Sequence, residues 1–344
     1  MRKENGVHYP FHAPKKPDFL VFVNSFFGLE IPRDLPPTCA VVGPLLSPKY
    51  PPLDDSTAVF LNSHQRTIYV ALGTHLILRD DDIMKMMGGF IRLLGEDIID
   101  GVIWSIAMGA RQAINLDRIY RLPVGTDSKE YTMSDIISNK HHSFFFAEFL
   151  PQRAILDHDH TRIYFTHGGG SSANEGLYHG KPMISMGISG DQVANTSRLV
   201  ANGVAEALSK FNFTADTLYE KAKRILGADA HSNNNGTQKH DMSTYQRHAL
   251  RLMRIARVAS RRKYHAADLV EEMLYDHELR FDDDGKELQP MHLQTADMRM
   301  PAYKVKNWDL MAVCAIATIG FLGSVGLSGK WLLRHRVEIL NTGK

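Results

Sequence analysis

Apolar and polar residues fall into blocks along the middle of the chain, and the blocks have two periods. Short apolar runs at 67–72, 102–106, 143–146, 162–165 and 183–186 have the length and texture of strands buried on both faces. Between them, residues 80–94, 172–178, 191–202 and 214–226 show helical spacing. Asp80, Asp81 and Asp82 open the first of these helices, where acids suit the helix dipole. Strand and helix in turn predict a doubly wound, Rossmann-like α/β domain on a parallel sheet covered on both faces. In such sheets ligands sit at the carboxyl ends of the strands.

The flanks read differently. Ten of the 15 prolines lie in residues 1–63, so that stretch is expected to be mostly extended, with one strand at 19–23. Residues 231–239 form a polar loop, 245–264 and 265–275 are helices, and 281–309 is a polar lead into the last segment. Residues 310–329 are 20 in a row without a charge, enough for a helix to cross the hydrocarbon core. A membrane span at 310–330 with a basic tail at 331–344 is therefore expected. Asp309 and Trp308 precede it, and Lys330, Trp331, Arg334 and Arg336 follow. That asymmetry places the body of the chain on the lumenal or outer side, where the sequons at Asn195, Asn212 and Asn235 would be read. The N-terminus carries no apolar run typical of a signal peptide, which opposes that orientation. The expected location is a single-pass membrane protein of the endoplasmic reticulum or another endomembrane.

Charge and cysteine content narrow the classes. Lys+Arg is 40 and Asp+Glu is 38, a balance that gives no reason to expect a nucleic-acid partner. Two cysteines, Cys39 and Cys314, exclude a disulfide framework and a zinc site built on several thiolates. The helix at 245–264 holds seven Lys or Arg residues. It has the charge to lie on an anionic membrane surface, and a solvated face is the simpler reading.

The candidate chemistry is concentrated in residues 149–192. The strand at 162–165 runs into Thr166-His167-Gly168-Gly169-Gly170-Ser171-Ser172 and then a helix. Strand, glycine-rich turn and helix N-terminus make an anion site, because the backbone can approach closely and free N–H groups point outward. His167 adds a donor, and Ser171 and Ser172 add hydroxyls and are expected to cap the helix. Glu175, one turn in, suits the vicinal hydroxyls of a ribose. Asp191 and Gln192 together suit several sugar hydroxyls, and Phe149 offers a face for a base.

These residues carry a resemblance. The run Phe149-Leu150-Pro151-Gln152, Leu156-Asp157-His158, Thr166-His167-Gly168-Gly169, Glu175, His179-Gly180-Lys181-Pro182 and Asp191-Gln192 resembles the donor signature of the UDP-glycosyltransferases, nucleotide-sugar enzymes of the GT-B fold. Val42-Gly43-Pro44-Leu45 resembles that family's linker, and the segment from Tyr69 to Thr74 resembles its first donor-domain strand. The resemblance implies a C-terminal donor-binding half at 64–280, with 1–63 as linker and remnant of the acceptor domain. It implies uracil on Phe149 with backbone contacts near Gln152, ribose on Glu175, and diphosphate at His167, Gly168, Gly169, Ser172 and Thr74. Sugar hydroxyls would meet Asp191 and Gln192. Three departures stand out. Phe149 replaces the usual Trp, Gly170 and Ser171 replace a Trp/Thr-Asn pair, and no acceptor-domain histidine can be placed as general base.

The implied activity is inverting transfer of a hexose from a UDP-sugar to a hydroxyl of a lipophilic acceptor, without metal or cofactor because the helix dipole faces the diphosphate. The alternatives are a non-catalytic donor-binding subunit that needs a separate acceptor partner or a homo-oligomer, and a truncated product. Plainer readings attach to other features. His141-His142 is expected to be an exposed loop pair, Trp104 core, Met84, Met86 and Met87 helix packing, and Asp157 to His160 not a metal cluster.

Overall fold

The computed structural model describes residues 19–31, 33–36, 38–73, 78–111, 114–125, 127–227, 242–278, 280–281, 283–286, 296–298 and 300–341. The elements in chain order are β1 (Val21–Val23), β2 (Cys39–Val41), α1 (Asp55–Ser63), β3 (Thr67–Ala71), α2 (Asp80–Gly95), β4 (Gly101–Ser105) and α3 (Met108–Arg111). They continue with β5 (Ile119–Val124), β6 (Asp127–Thr132), α4 (Met133–Ile137), β7 (Phe144–Ala147), α5 (Gln152–Asp157), β8 (Thr161–Thr166) and α6 (Gly170–Tyr178). The rest are β9 (Met183–Ser185), α7 (Asp191–Ala201), β10 (Ala205–Ala207), α8 (Ala215–Leu226), α9 (Thr244–Ala259), α10 (Arg262–Glu278), α11 (Ala302–Val305) and α12 (Trp308–Asn341).

Two compact units result. One takes Phe22–Arg33 and Val41–Glu271, and the other takes the remaining described residues. The first is built on a six-stranded sheet in the order β10-β9-β8-β3-β4-β7, with every pairing parallel. The chain runs outward from β3 to β7, then returns to β8 on the other side of β3 and runs outward to β10. The order therefore reverses between β3 and β8, the switch point at which open α/β sheets bind ligands.

Strand alternation divides the core into two layers. Ile68 and Val70 of β3 face one layer with Met86, Phe90, Trp104 and Phe165. Tyr69 and Ala71 face the other with Leu156, Tyr164, Leu177 and Leu252. Both faces of the sheet are covered, which is why its strands read as continuous apolar runs. Trp104, Met86 and Met87 are core, as expected, and Met84 is exposed.

The helix expected at 245–264 is two, α9 and α10, broken at residues 260–261, and the structure departs from the sequence reading in three further places. The extended N-terminal stretch contains α1, which begins where Asp54 caps it by accepting a hydrogen bond from the Thr57 N–H at 2.9 Å. Residues 54–63 hold no proline, so nothing blocks that helix. Second, β5 and β6 form an antiparallel hairpin that the sequence pattern did not announce. Third, His141 is buried, not exposed. Its Nε2 meets the Pro123 carbonyl of the hairpin at 3.1 Å, and Tyr131 of the hairpin packs edge-on against the ring.

The second unit contains α12, 34 residues long. Its portion Trp308–Leu333 is long and apolar enough to cross a membrane, and its side chains there are unburied. The helix continues past the expected end of the span at residue 330, to Asn341.

Candidate functional site

The glycine turn after β8 is fixed by its neighbours. Gly168 has φ +76°, and a Cβ there would lie 2.7 Å from Ser185 Oγ and 2.8 Å from Thr196 Oγ1. Those hydroxyls are bonded to each other at 2.7 Å, so they leave no room. The Gly168 N–H donates to Thr166 Oγ1 at 3.3 Å, and its carbonyl accepts from Asn195 Nδ2 at 3.0 Å. The turn is thus bolted to α7 and delivers α6 at a set angle.

Gly169 is the N-cap of α6 and supplies no side-chain cap. Ser171 and Ser172 lie inside the first turn, so the expectation that they cap the helix is wrong. The reason is that α6 already begins at Gly170, which puts the N-cap at Gly169, two residues before Ser171. The consequence favours an anion site, because the N–H groups of Gly170, Ser171 and Ser172 have no intrahelical acceptor.

His167 sits between two glycines. A Cβ on Gly73 would be 3.2 Å from its Cε1, and one on Gly169 would be 2.5 Å from its Nε2. Its Nδ1 is buried without a well-formed hydrogen bond. Burial lowers the pKa of the ring, against the opposing pull of the nearby Ala71 carbonyl and Asp191, so it is neutral at pH 7.

A cavity of about 330 Å³ opens at the carboxyl ends of β3, β4 and β7. Gly73, Phe149, Gln152, Ser172 and Glu175 line it, and so do Tyr50 and Arg153. Phe149 is 84% exposed, an aromatic face left bare at the mouth. No histidine among the described residues lines the cavity.

One side chain organises the cavity floor. Gln152 Nε2 donates to Glu175 Oε2 at 2.7 Å. Its Oε1 accepts from the Tyr164 hydroxyl at 3.0 Å and from the Tyr69 hydroxyl at 3.3 Å. Both tyrosines are buried with stacked rings 5.5 Å apart. Burial pushes the Tyr164 hydroxyl up to about 12 and that of Tyr69 in the same direction, so both remain donors. Gln152 therefore converts two buried phenols into a fixed orientation for Glu175, whose second oxygen has no protein partner among the described residues.

Asp191 opens α7 after Gly190, with Oδ2 accepting from Asn195 Nδ2 at 3.1 Å. A Cβ on Gly170 would be 3.9 Å from that same oxygen, so the carboxylate flanks the α6 N-terminus. Gln192 differs from expectation in part. Its Oε1 accepts from the Ile188 and Ser189 N–H groups at 3.0 and 3.3 Å, which leaves only its amide N–H groups for a ligand. Thr74 lies outside the described residues. The structure thus gathers Phe149, Gln152, Ser172 and Glu175 at the cavity. It holds His167 and Asp191 at the adjoining glycine turn.

Sequence reasoning missed Tyr50 and Arg153. The Arg153 guanidinium lies 4.4 Å over the Tyr50 ring, and its Nη1 donates to the Ser47 carbonyl at 2.6 Å. Tyr50 donates to Asp157 Oδ2 at 2.9 Å, and Asp157 Oδ1 holds His179 Nδ1 at 2.9 Å. These contacts pin residues 47–50 beside the cavity. An isolated tyrosine in a proline-rich stretch gives no signal of this.

The sequence profile described as "UDP-glucoronosyl and UDP-glucosyl transferase" matches residues 18–240. The chain is 40% identical over 335 residues to UDP-glycosyltransferase FPY2 of Fusarium mangiferae, covering 90% of this chain and 58% of that one. It is 40% identical to a UDP-glycosyltransferase of Talaromyces amestolkiae, covering 96% of this chain and 60% of that one. The chain thus spans about three-fifths of the length of these curated relatives. Among solved structures it is similar in fold to UDP-glucose:anthocyanidin 3-O-glucosyltransferase in complex with UDP, with TM-score 0.51 and 17% identity over 74% of this chain and 53% of that one.

Proposed function

This chain belongs to the UDP-glycosyltransferase family, and we propose that its glycine turn and adjoining cavity bind a UDP-sugar for hexosyl transfer to a lipophilic hydroxyl. The observation that carries the reading is the junction of three unpaired amides at the α6 N-terminus with a carboxylate pre-aimed by Gln152 one turn later. In this reading uracil stacks on Phe149, the ribose hydroxyls donate to Glu175, and the diphosphate meets the amides, His167, Ser172 and Thr74. Asp191 and the Gln192 amide take the sugar hydroxyls. The acceptor oxygen attacks the anomeric carbon as the bond to UDP breaks, and the inverted product results. The acceptor proton passes to a base, while the amides and dipole stabilise the departing diphosphate.

A second reading makes this chain a donor-binding subunit whose partner supplies the base and the acceptor site. We further infer that α12 anchors the chain as a single span in an endomembrane, a reading supported by its length and apolar surface.

Calorimetry of the full chain in detergent with UDP and UDP-glucose tests the donor site. Binding that Glu175→Ala weakens is expected, and absence of UDP binding refutes both readings. Turnover with hydroxyl acceptors then separates transferase from binding subunit.

A further inference from the structure

Helix α9 presents a stripe of cations without ion-pair partners among the described residues. Its inner face, with Ala249, Leu252, Ala256 and Ala259, is buried. The outer face repeats at residues 247, 251, 254 and 258 and reads Arg, Arg, Arg, Val, and Arg261 follows in the turn after the helix. Steps of four and three residues keep the four helical positions on one side of α9. No Asp or Glu occurs between residues 243 and 267, although the whole chain is nearly neutral with 40 cations and 38 acids. The charge is thus segregated to this face.

Arg251, Arg254, Arg261 and Arg262 are exposed, and their side chains make no hydrogen bond or ion pair among the described residues. Arg257, on a different side, does have partners, the Tyr178 carbonyl at 3.2 Å and Asp157 at 3.7 Å. Apolar groups interrupt the stripe where solvation alone would not place them. Val258 is 64% exposed between Arg254 and Arg261, and Tyr264 beyond them is 64% exposed. Unpaired arginines around an exposed aliphatic and an aromatic suit a surface with anionic headgroups and an apolar layer beneath.

We propose that the outer face of α9, together with Arg261, Arg262 and Tyr264 that follow it in the chain, rests on an anionic lipid surface. This rests on the reading of α12 as a membrane span, which keeps such a surface within reach of the chain. Each cation drawn to that surface strengthens partition about fivefold, so removing three weakens it roughly a hundredfold. The contact fades as salt shortens the Debye length.

The test uses the full chain with Cys39 and Cys314 replaced by Ser and an environment-sensitive fluorophore on Val258→Cys. Lipid nanodiscs of phosphatidylcholine, with and without phosphatidylserine, are compared as salt rises from about 0.1 to about 0.5 M. Blue-shifted emission only on the anionic discs, reversed by salt and lost in R251Q/R254Q/R261Q, is expected. Equal emission on both lipids, or an unaffected triple variant, overturns the proposal. A second label at Val325→Cys reports whether α12 enters the bilayer. If it does not, the α12 reading fails by itself, and the Val258 label titrated with preformed anionic vesicles still decides the stripe.

Discussion

Replacing Gln152 with Leu probes the organising contact of the cavity. Leu has a similar volume but offers no acceptor. The hydroxyls of Tyr69 and Tyr164 both lose the Oε1 that they share at 3.3 and 3.0 Å. Tyr164 has the Ser172 and Thr166 hydroxyls as substitutes, whereas Tyr69 has no other acceptor among the described residues. One buried hydroxyl left unsatisfied costs about 1–3 kcal/mol. A loss of about 2 kcal/mol lowers the melting temperature of a domain of this size by about 4–8 °C. Removing the stranded hydroxyl relieves that cost, so Tyr69→Phe/Gln152→Leu is expected to be more stable than Gln152→Leu alone. Urea and thermal unfolding of the full chain in detergent, followed by near-ultraviolet circular dichroism, reads both variants. Calorimetry on the same samples is expected to show weaker UDP-sugar binding for both, because Glu175 has lost its 2.7 Å donor. Equal stability of Gln152→Leu and wild type, or a double variant less stable than Gln152→Leu, refutes the relay.

Gly169→Ala would put a methyl 2.5 Å from His167 Nε2, so the imidazole must move. UDP-sugar affinity is expected to drop in calorimetry, and an unchanged affinity would show that His167 does not meet the diphosphate. Phe149→Ala removes a side chain that is 84% exposed, so folding should be unaffected. Lost base stacking of about 1–3 kcal/mol should still weaken UDP at least several-fold, while Phe149→Trp should tighten it. Acid is expected to destabilise the domain before its carboxylates titrate. His141, His142, His158, His167 and His179 all have folded pKa values held below the ordinary value, by burial first of all. As pH falls the unfolded chain takes up protons sooner, so the stability present above about pH 6.5 is lost below it. Urea midpoints measured from about pH 7 to about 5.5 should decline, and a flat profile would contradict the desolvation of these rings.

The strand, glycine turn and helix at 161–178 were legible because their parts are local. The step from β8 through Gly168 to α6 depends on a positive φ and a helix start, both set within a few residues. The spacing of Glu175 from that start places it one turn in whatever the rest of the chain does. Strand positions such as Val70 and Phe165 were legible for a related reason, since a strand buried on both faces must be apolar throughout. Chain pattern thus determined the sheet, the glycine turn, the apolar length of α12 and the family.

Contacts between distant segments were decided only by packing. Gln152 reads as one polar residue after a proline, and it becomes a relay because β3 and β8 bring Tyr69 and Tyr164 together beneath it. Tyr50 joins the cavity because Asp157, 107 residues away, accepts its hydroxyl. His141 is buried because an unannounced hairpin folds over it. Periodicity reports which face of an element is apolar but not which distant polar group will meet it. That choice arises when burial forces each hydroxyl, imidazole and carboxylate to find a partner in three dimensions.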